Sequence, residues 1–178
     1  DFEPKAVTVC TYQAISGAGK TFETWPEMID NVIPYIGGED EKSEREPLKI
    51  FGRVENGAIV DAASPVISAQ CLRVAASDGH MAAVSVKFGR KPTREEILAR
   101  WDSCQPATLG LDPDRPQTRL DRDTEGGMAI CLGRLREDPV MDYKFVCLSH
   151  NTLRGAAGGG VLSAEYLCKL GYIPHKAF

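Results

Sequence analysis

The chain has 178 residues, 43% of them hydrophobic and 26% charged, with a formal net charge of -4. That length suits one domain, and that apolar fraction is enough for a buried core. An acidic balance with no lysine-arginine run argues against a nucleic-acid partner, and no apolar stretch approaches the ~20 residues that span a bilayer.

The chain opens at Asp1 with neither an initiator methionine nor a secretory leader, and it reads as a fragment or a processed protein. Alternation over Lys5 to Tyr12 predicts a strand. Residues 13–25 read as a loop carrying Ser16-Gly17-Ala18-Gly19-Lys20-Thr21, and Pro26 to Ile36 as a short helix or loop, broken near Pro34 and stopped by Gly37-Gly38. Glu39 to Phe51 is helical by composition, with Gly52 as its stop and Pro47 expected to kink it or start a new turn. Strands follow over Val66 to Val74 and Met81 to Phe88. Thr93 and Glu96 form a capping box that opens a helix through Trp101. Residues 104–127 show no period and read as a long functional or interfacial loop. Met128 to Arg136 and Tyr143 to Ser149 read as strands joined by a turn at Asp138-Pro139. Gly155 to Leu170 reads as a helix with Leu162, Tyr166, Leu167 and Leu170 toward the core and Gly171 closing it. The whole, residues 1–178, is expected to be a single mixed α/β domain.

The six cysteines, at 10, 71, 104, 131, 147 and 168, mostly sit inside apolar patterns. There is no C-x-x-C pair and no histidine at metal spacing, so neither disulfides nor a metal site is expected. Reduced thiols in a cytoplasmic protein fit best.

His80 sits where the Asp78-Gly79 turn delivers the chain into a strand, and Arg73 lies just before that turn. A permanent cation and a group that titrates near neutrality suit an anionic substrate and a proton transfer, although a histidine in such a place also serves as a surface residue or a satisfied hydrogen bonder. The loop from Ala14 to Thr21 imitates the end of a phosphate-binding loop, but the long helix that should follow is missing. Gly155-Ala156-Ala157-Gly158-Gly159-Gly160 suits either an anion or cofactor edge, or a tight helix start against a sheet. Glu46 and Lys49 stand three residues apart, on one face of a helix, where a solvated ion pair is the plain alternative to a ligand contact. The charged run from Arg119 to Glu125 reads as a surface loop.

Together these features resemble the C-terminal domain of the aspartate-β-semialdehyde dehydrogenase family. The resemblance rests on Thr11 to Gly19, on Asp30 to Glu39, on Glu46-x-x-Lys49, on Arg73 with Asp78-Gly79-His80, and on Asn151 to Gly158. It implies the α/β (α+β) domain of the glyceraldehyde-3-phosphate-dehydrogenase-like enzymes: a mixed, mostly antiparallel sheet with helices on one face, the other face building a dimer. It also implies NADPH-dependent reductive dephosphorylation of β-aspartyl phosphate to aspartate β-semialdehyde through a cysteine thioester, on the route to lysine, methionine, threonine and isoleucine.

By that resemblance His80 is the acid/base group, and Gln13 orients the acyl intermediate. Arg73 clamps the substrate α-carboxylate, Glu46 meets its amino group and Lys49 its phosphate. Ser16, Gly17 and Asn151 are cofactor-side contacts. The family's nucleophilic cysteine belongs in an Asn-Cys-Ser/Thr context that none of the six cysteines has, and no G-x-G-x-x-G is present. The resemblance therefore implies the substrate-binding and dimerisation half of a homodimeric or homotetrameric enzyme, inactive alone, with NADP held mainly by the other half. Neither a nucleic acid nor a membrane is implied as partner. A stand-alone dimerisation or binding module and an N-acetyl-glutamyl-phosphate reductase-like enzyme are the rival readings.

Overall fold

In the computed structural model, which describes residues 2–104 and 112–173, the chain forms a six-stranded sheet. Its strands are β1 (Pro4–Gln13), β2 (Val32–Ile33), β5 (Val66–Val74), β6 (His80–Phe88), β7 (Ile130–Glu137) and β8 (Tyr143–Ser149), in the spatial order β2-β5-β1-β6-β8-β7. β1 and β5 run parallel, and every other neighbouring pair is antiparallel. The helices are α1 (Glu39–Ile50), α2 (Arg94–Ser103), α3 (Thr118–Asp121) and α4 (Gly158–Lys169).

Register places Val7, Val9 and Thr11 beside Ile67, Ala69 and Cys71 on one side and beside Val86, Val84 and Ala82 on the other. Successive strand residues alternate between faces, so these side chains form one apolar surface. α2 packs there through Ile97, Leu98 and Trp101 on Val86, Leu135, Tyr143 and Phe145. Trp101 meets Phe145 edge to face at 5.2 Å, and the buried Tyr143 hydroxyl donates to the Pro92 carbonyl at 2.9 Å. α1 flanks the same face, and an apolar cavity of about 620 Å³ remains between the two helices. The expected mixed sheet with helices on one face is therefore present. α3, too short to form a layer, lies against the opposite face at the Gly79 end, near Cys131. That face carries Thr8, Cys10, Ser68, Gln70, Ala83, Ser85, Lys144 and Val146 beneath an open concavity of about 640 Å³.

β5 is nearly an edge strand, because β2 covers only its last two residues. α1 closes the remainder with carboxylates: Asp40 Oδ1 accepts the Cys71 N–H at 2.7 Å and Glu44 Oε1 accepts the Ala69 N–H at 3.0 Å. Unpaired strand donors are thus satisfied by a helix instead of another strand.

The five expected strands are present to within two residues at either end, β2 falls in the segment read as a short helix or loop, and the capping box is made in both directions by Thr93 and Glu96. Four expectations change. Pro47 does not interrupt α1, which continues to Ile50; lying in the last turn, it leaves the Ser43 carbonyl without its usual i+4 donor while few residues follow it in the helix. A hairpin of β3 (Arg53–Glu55) and β4 (Ala58–Val60) follows α1, its turn made by Asn56 and Gly57 at φ 50° and 78°. Of the supposed loop 104–127, residues 105–111 lie outside the described residues, and the rest contains α3 and a 3-10 turn at Thr124–Gly127.

Finally, α4 does not turn Leu162, Tyr166, Leu167 and Leu170 inward. They are 42%, 60%, 40% and 52% exposed, and the helix packs mainly on the π-turn Leu153–Ala157 before it. Gly171 does close it, at φ +79°. Among the described residues no helix is long and apolar enough to cross a membrane.

Candidate active site

The parallel β1/β5 register sets Gln13 opposite Arg73, and the β6/β8 register sets His80 opposite Ser149. One step beyond the last β1/β6 pair, Tyr12 with Met81, Gln13 comes beside His80. Arg73, Gln13, His80 and Ser149 thus line up across four adjacent strands, on the helix-bearing face and at one end of the sheet. Residues Ala14–Ala18 and Asn151–Ala156 close over that end and leave a cavity of about 510 Å³.

Arg73 and Gln13 are buried, at 6% and 7% exposure. Arg73 Nη1 donates to the Ala14 carbonyl at 2.7 Å, which fixes the fork's direction while its other N–H groups remain for a ligand. Gln13 Nε2 donates to Glu39 Oε2 at 3.1 Å, and Lys42 Nζ to Glu39 Oε1 at 3.3 Å. The Gln13 hydrogen bond, with help from Lys42 and Arg73, holds the Glu39 carboxyl below the usual carboxylate range. Burial draws the Arg73 guanidinium down, against the opposing charge of Glu39.

The Ala14 N–H donates to His80 Nδ1 at 3.2 Å. The neutral ring therefore carries its hydrogen on Nε2, the atom nearest the cavity. Burial lowers the His80 pKa and the Arg73 charge adds to this, while a contact with the Gly79 backbone and the charges of Glu39 and Asp78 oppose it. Gly17 is tightly seated: a Cβ there would lie 2.9 Å from Arg73 Nη1 and 3.0 Å from His80 Nε2. Asn151 ties the two sides of the site together, its Oδ1 accepting the Gly79 N–H at 2.8 Å and its Nδ2 donating to Ser16 Oγ at 2.9 Å.

Six of the eight residues singled out from sequence line this cavity: Gln13, Ser16, Gly17, Arg73, His80 and Asn151. Glu46 and Lys49 do not. Both are exposed, farther along α1, where they border a shallow surface depression with Glu41, Lys42, Arg45 and Asp61. Glu39 and Lys42 occupy the cavity in their stead. The two pairs have the same three-residue spacing and stand seven residues apart, about 10 Å along one helix face. Only the first turn of α1 reaches the strand ends. Spacing alone could not choose between them; the choice follows from α1 beginning beside the end of the sheet.

None of the six cysteines lines the cavity. Cys147, two residues before Ser149 on the same face, is half-buried, and desolvation raises its pKa, as it does for the buried Cys131. Among the described residues no group of three or more histidine, cysteine, aspartate or glutamate side chains could hold a metal ion. What the cavity offers is one guanidinium, one ammonium, one carboxylate and one imidazole within reach of a single small, multiply charged ligand.

Known proteins resemble the chain in sequence and in fold. The sequence pattern of the family described as semialdehyde dehydrogenase, dimerisation domain, matches residues 1–154. The aspartate-semialdehyde dehydrogenase of Archaeoglobus fulgidus is 43% identical over 179 residues, covering 95% of this chain and 52% of that protein. Its counterpart in Schizosaccharomyces pombe is 45% identical over 191 residues, covering 96% and 53%. The crystal structure of the Candida albicans aspartate-semialdehyde dehydrogenase with NADP superimposes with a TM-score of 0.79 at 38% identity, covering 96% of this chain and 52% of that one. The chain spans about half the length of the relatives it matches.

Proposed function

The chain belongs to the semialdehyde dehydrogenase dimerisation-domain family, and from that membership we propose that it is the substrate-binding and dimerisation domain of an NADP-dependent aspartate-semialdehyde dehydrogenase. The parent enzyme reduces β-aspartyl phosphate to aspartate β-semialdehyde and phosphate in amino-acid biosynthesis. Residues 1–178 act as one unit, and the nucleotide-binding half and the nucleophilic cysteine lie in sequence outside this chain.

One observation carries the reading: Arg73, Glu39, Lys42 and His80 converge on one cavity. β-Aspartyl phosphate bears a carboxylate, an ammonium and a phosphate, and the first three residues supply one complement to each. Arg73 is the bidentate clamp for the α-carboxylate. Glu39 receives the free ammonium, a preference that disfavours an N-acetylated substrate. Lys42 faces the phosphate, and Gln13, already held by Glu39, orients the acyl group. His80 serves the cysteine as acid/base group: the neutral ring hydrogen-bonds a thiolate from Nε2, and taking up a second proton requires the Ala14 contact to open.

On this chain the cofactor's share of the site is small. Ser16 keeps its hydroxyl hydrogen and Asn151 its second amide hydrogen, while Gly155 and Ala156 leave the rim free of bulk. These groups fit one edge of a nicotinamide amide. When bound, NADPH supplies the hydride that turns the thioester into aldehyde.

Free thiols at all six cysteines support a reducing, cytoplasmic setting. The open, half-polar face of the sheet supports a homodimer. The assay is NADP reduction with aspartate semialdehyde and phosphate. Protein carrying both this chain and its upstream half turns over, and the 178-residue chain alone does not. Turnover by the chain alone would return one of its own cysteines to the role of nucleophile.

A further inference from the structure

α3 was legible in the sequence only as part of a charged loop, and the reaction leaves it without a task. Its placement is firm. Asp121, 1% exposed, is held by the Arg115 guanidinium through Nε at 2.8 Å and through Nη2, and it accepts the Gln117 N–H at 2.6 Å. The Cys131 thiol of β7 adds a bond to the Asp121 carbonyl at 3.4 Å. The next residue, Arg122, turns toward the loop before His80. Its Nη1 donates to Ser77 Oγ at 2.8 Å and to the Asp78 carbonyl at 3.3 Å. Gly79, at φ +93°, is packed so closely that a Cβ there would meet Thr118 Cγ2 at 3.1 Å and Arg122 Cβ at 3.3 Å.

The same turn carries other ties. The Ala76 and Ser77 carbonyls accept the Ile15 and Ser16 N–H groups at 2.9 and 3.2 Å, and the Gly79 N–H goes to Asn151. Those partners lie in or beside the cavity, whereas Arg122 reaches the turn from behind it. A ligand entering the cavity can disturb the front ties but not the rear one. The two hydrogens of Nη1 serve both acceptors, while Nε donates to Asp123 Oδ2 at 3.3 Å and steadies the planar group.

We propose that Arg122 is a positioning residue for the reaction proposed above: by holding Ser77 and Asp78 from outside the cavity it fixes the turn that aims His80. Arg73, Glu39 and Lys42 are presented by β5 and α1, so substrate binding does not depend on it. The inference rests on the functional reading, and its test has one arm that needs activity and one that does not.

In the full-length enzyme, Arg122→Gln lowers kcat roughly 10- to 100-fold, the scale of a misplaced catalytic group. KM for aspartate semialdehyde and phosphate stays within about twofold. Arg122→Lys, which keeps the charge but not the fork, recovers part of the loss, and Ser77→Ala gives a smaller decrease in the same direction. NMR titration of the His80 ring, which Arg73, Glu39 and Asp78 also face, shows a shifted midpoint in Arg122→Gln and none in the exposed control Arg119→Gln.

An unchanged kcat with an unchanged His80 titration overturns the proposal. So does a parallel loss of kcat, substrate affinity and thermal midpoint, which would make Arg122 a general fold contact. If the full-length enzyme ignores aspartate semialdehyde, the functional reading fails, and a shifted His80 titration still upholds the brace.

Discussion

Glu39 and Glu46 differ in nothing that local sequence can weigh: each begins a Glu-x-x-Lys pair on α1, on one helix face. Their environments differ greatly, one bonded to Gln13 beside a buried arginine, the other in solvent. Glu39→Gln in the full-length enzyme should therefore cost roughly 10- to 100-fold in kcat/KM, the worth of one charge-assisted hydrogen bond of about 1.5–3 kcal/mol. Glu46→Gln should leave the rate within about twofold. Steady-state kinetics on the two variants decides between the pairs, and the opposite ranking would return the site to the middle of α1. His80 and Arg73 were legible because a strand end and the Asp78-Gly79 turn are local signals, and Gln13 only through the family resemblance; Glu39 and Lys42 were not, because their role depends on where the helix lands. His80 also gives the fold a dependence on pH. Its folded pKa lies below the unfolded 6.5, so the unfolded chain binds the proton more readily. Its contribution to stability is complete above pH 6.5 and falls as pH drops from there toward the folded pKa. Urea midpoints between pH 7.5 and 5 should decline less in His80→Asn than in the parent; equal slopes would refute this.

Among the elements, α1 does two jobs with one row of acids. Its first turn supplies Glu39 to the cavity, and the next residues hold the β5 edge, with Asp40 on the Cys71 N–H and Glu44 on the Ala69 N–H. Asp40→Ala leaves a buried strand donor without its partner and should lower stability by about 1–3 kcal/mol, read as a reduced urea midpoint. An unchanged midpoint would mean that water replaces the carboxylate freely. The acids look like an ordinary solvated helix start in the sequence, since a side chain bonding an edge strand 31 residues away leaves no local mark. The β3/β4 hairpin is the opposite case: Asn56-Gly57 between Val54 and Ile59 is a strong turn signal that the sequence reading passed over. α4 shows a third kind of failure. Its apolar stripe was legible, but the surface that covers it was not, because the stripe stands open here and lies beyond the residues 1–154 that match the family.

At the scale of the whole molecule, the two faces of the sheet divide the labour: helices and a packed aromatic core on one, an open face of Thr8, Cys10, Ser68, Gln70 and Ser85 on the other. Burying that open face between two copies would enclose alternating small and polar side chains, the composition expected where sheets meet flat. Light scattering at micromolar concentration should give a dimer for the 178-residue chain and a monomer for Ser85→Arg; a monomeric parent would place the contact elsewhere. The sheet has one more property that bears on how the site comes to exist. β5 and β6 are consecutive in sequence yet do not pair, because β1, more than fifty residues earlier than β5, lies between them. The central slot is therefore filled by the earliest strand of this sheet, through one parallel and one antiparallel partner that lie more than fifty residues later in sequence. Pairing across such separations is slow, since loop closure opposes it before contacts favour it. Gln13 ends that strand, between Arg73 and His80. The guanidinium and the imidazole therefore acquire their common neighbour only when β1 is paired on both sides, so a chain in which that strand is still unpaired has no assembled site with which to bind its ligand.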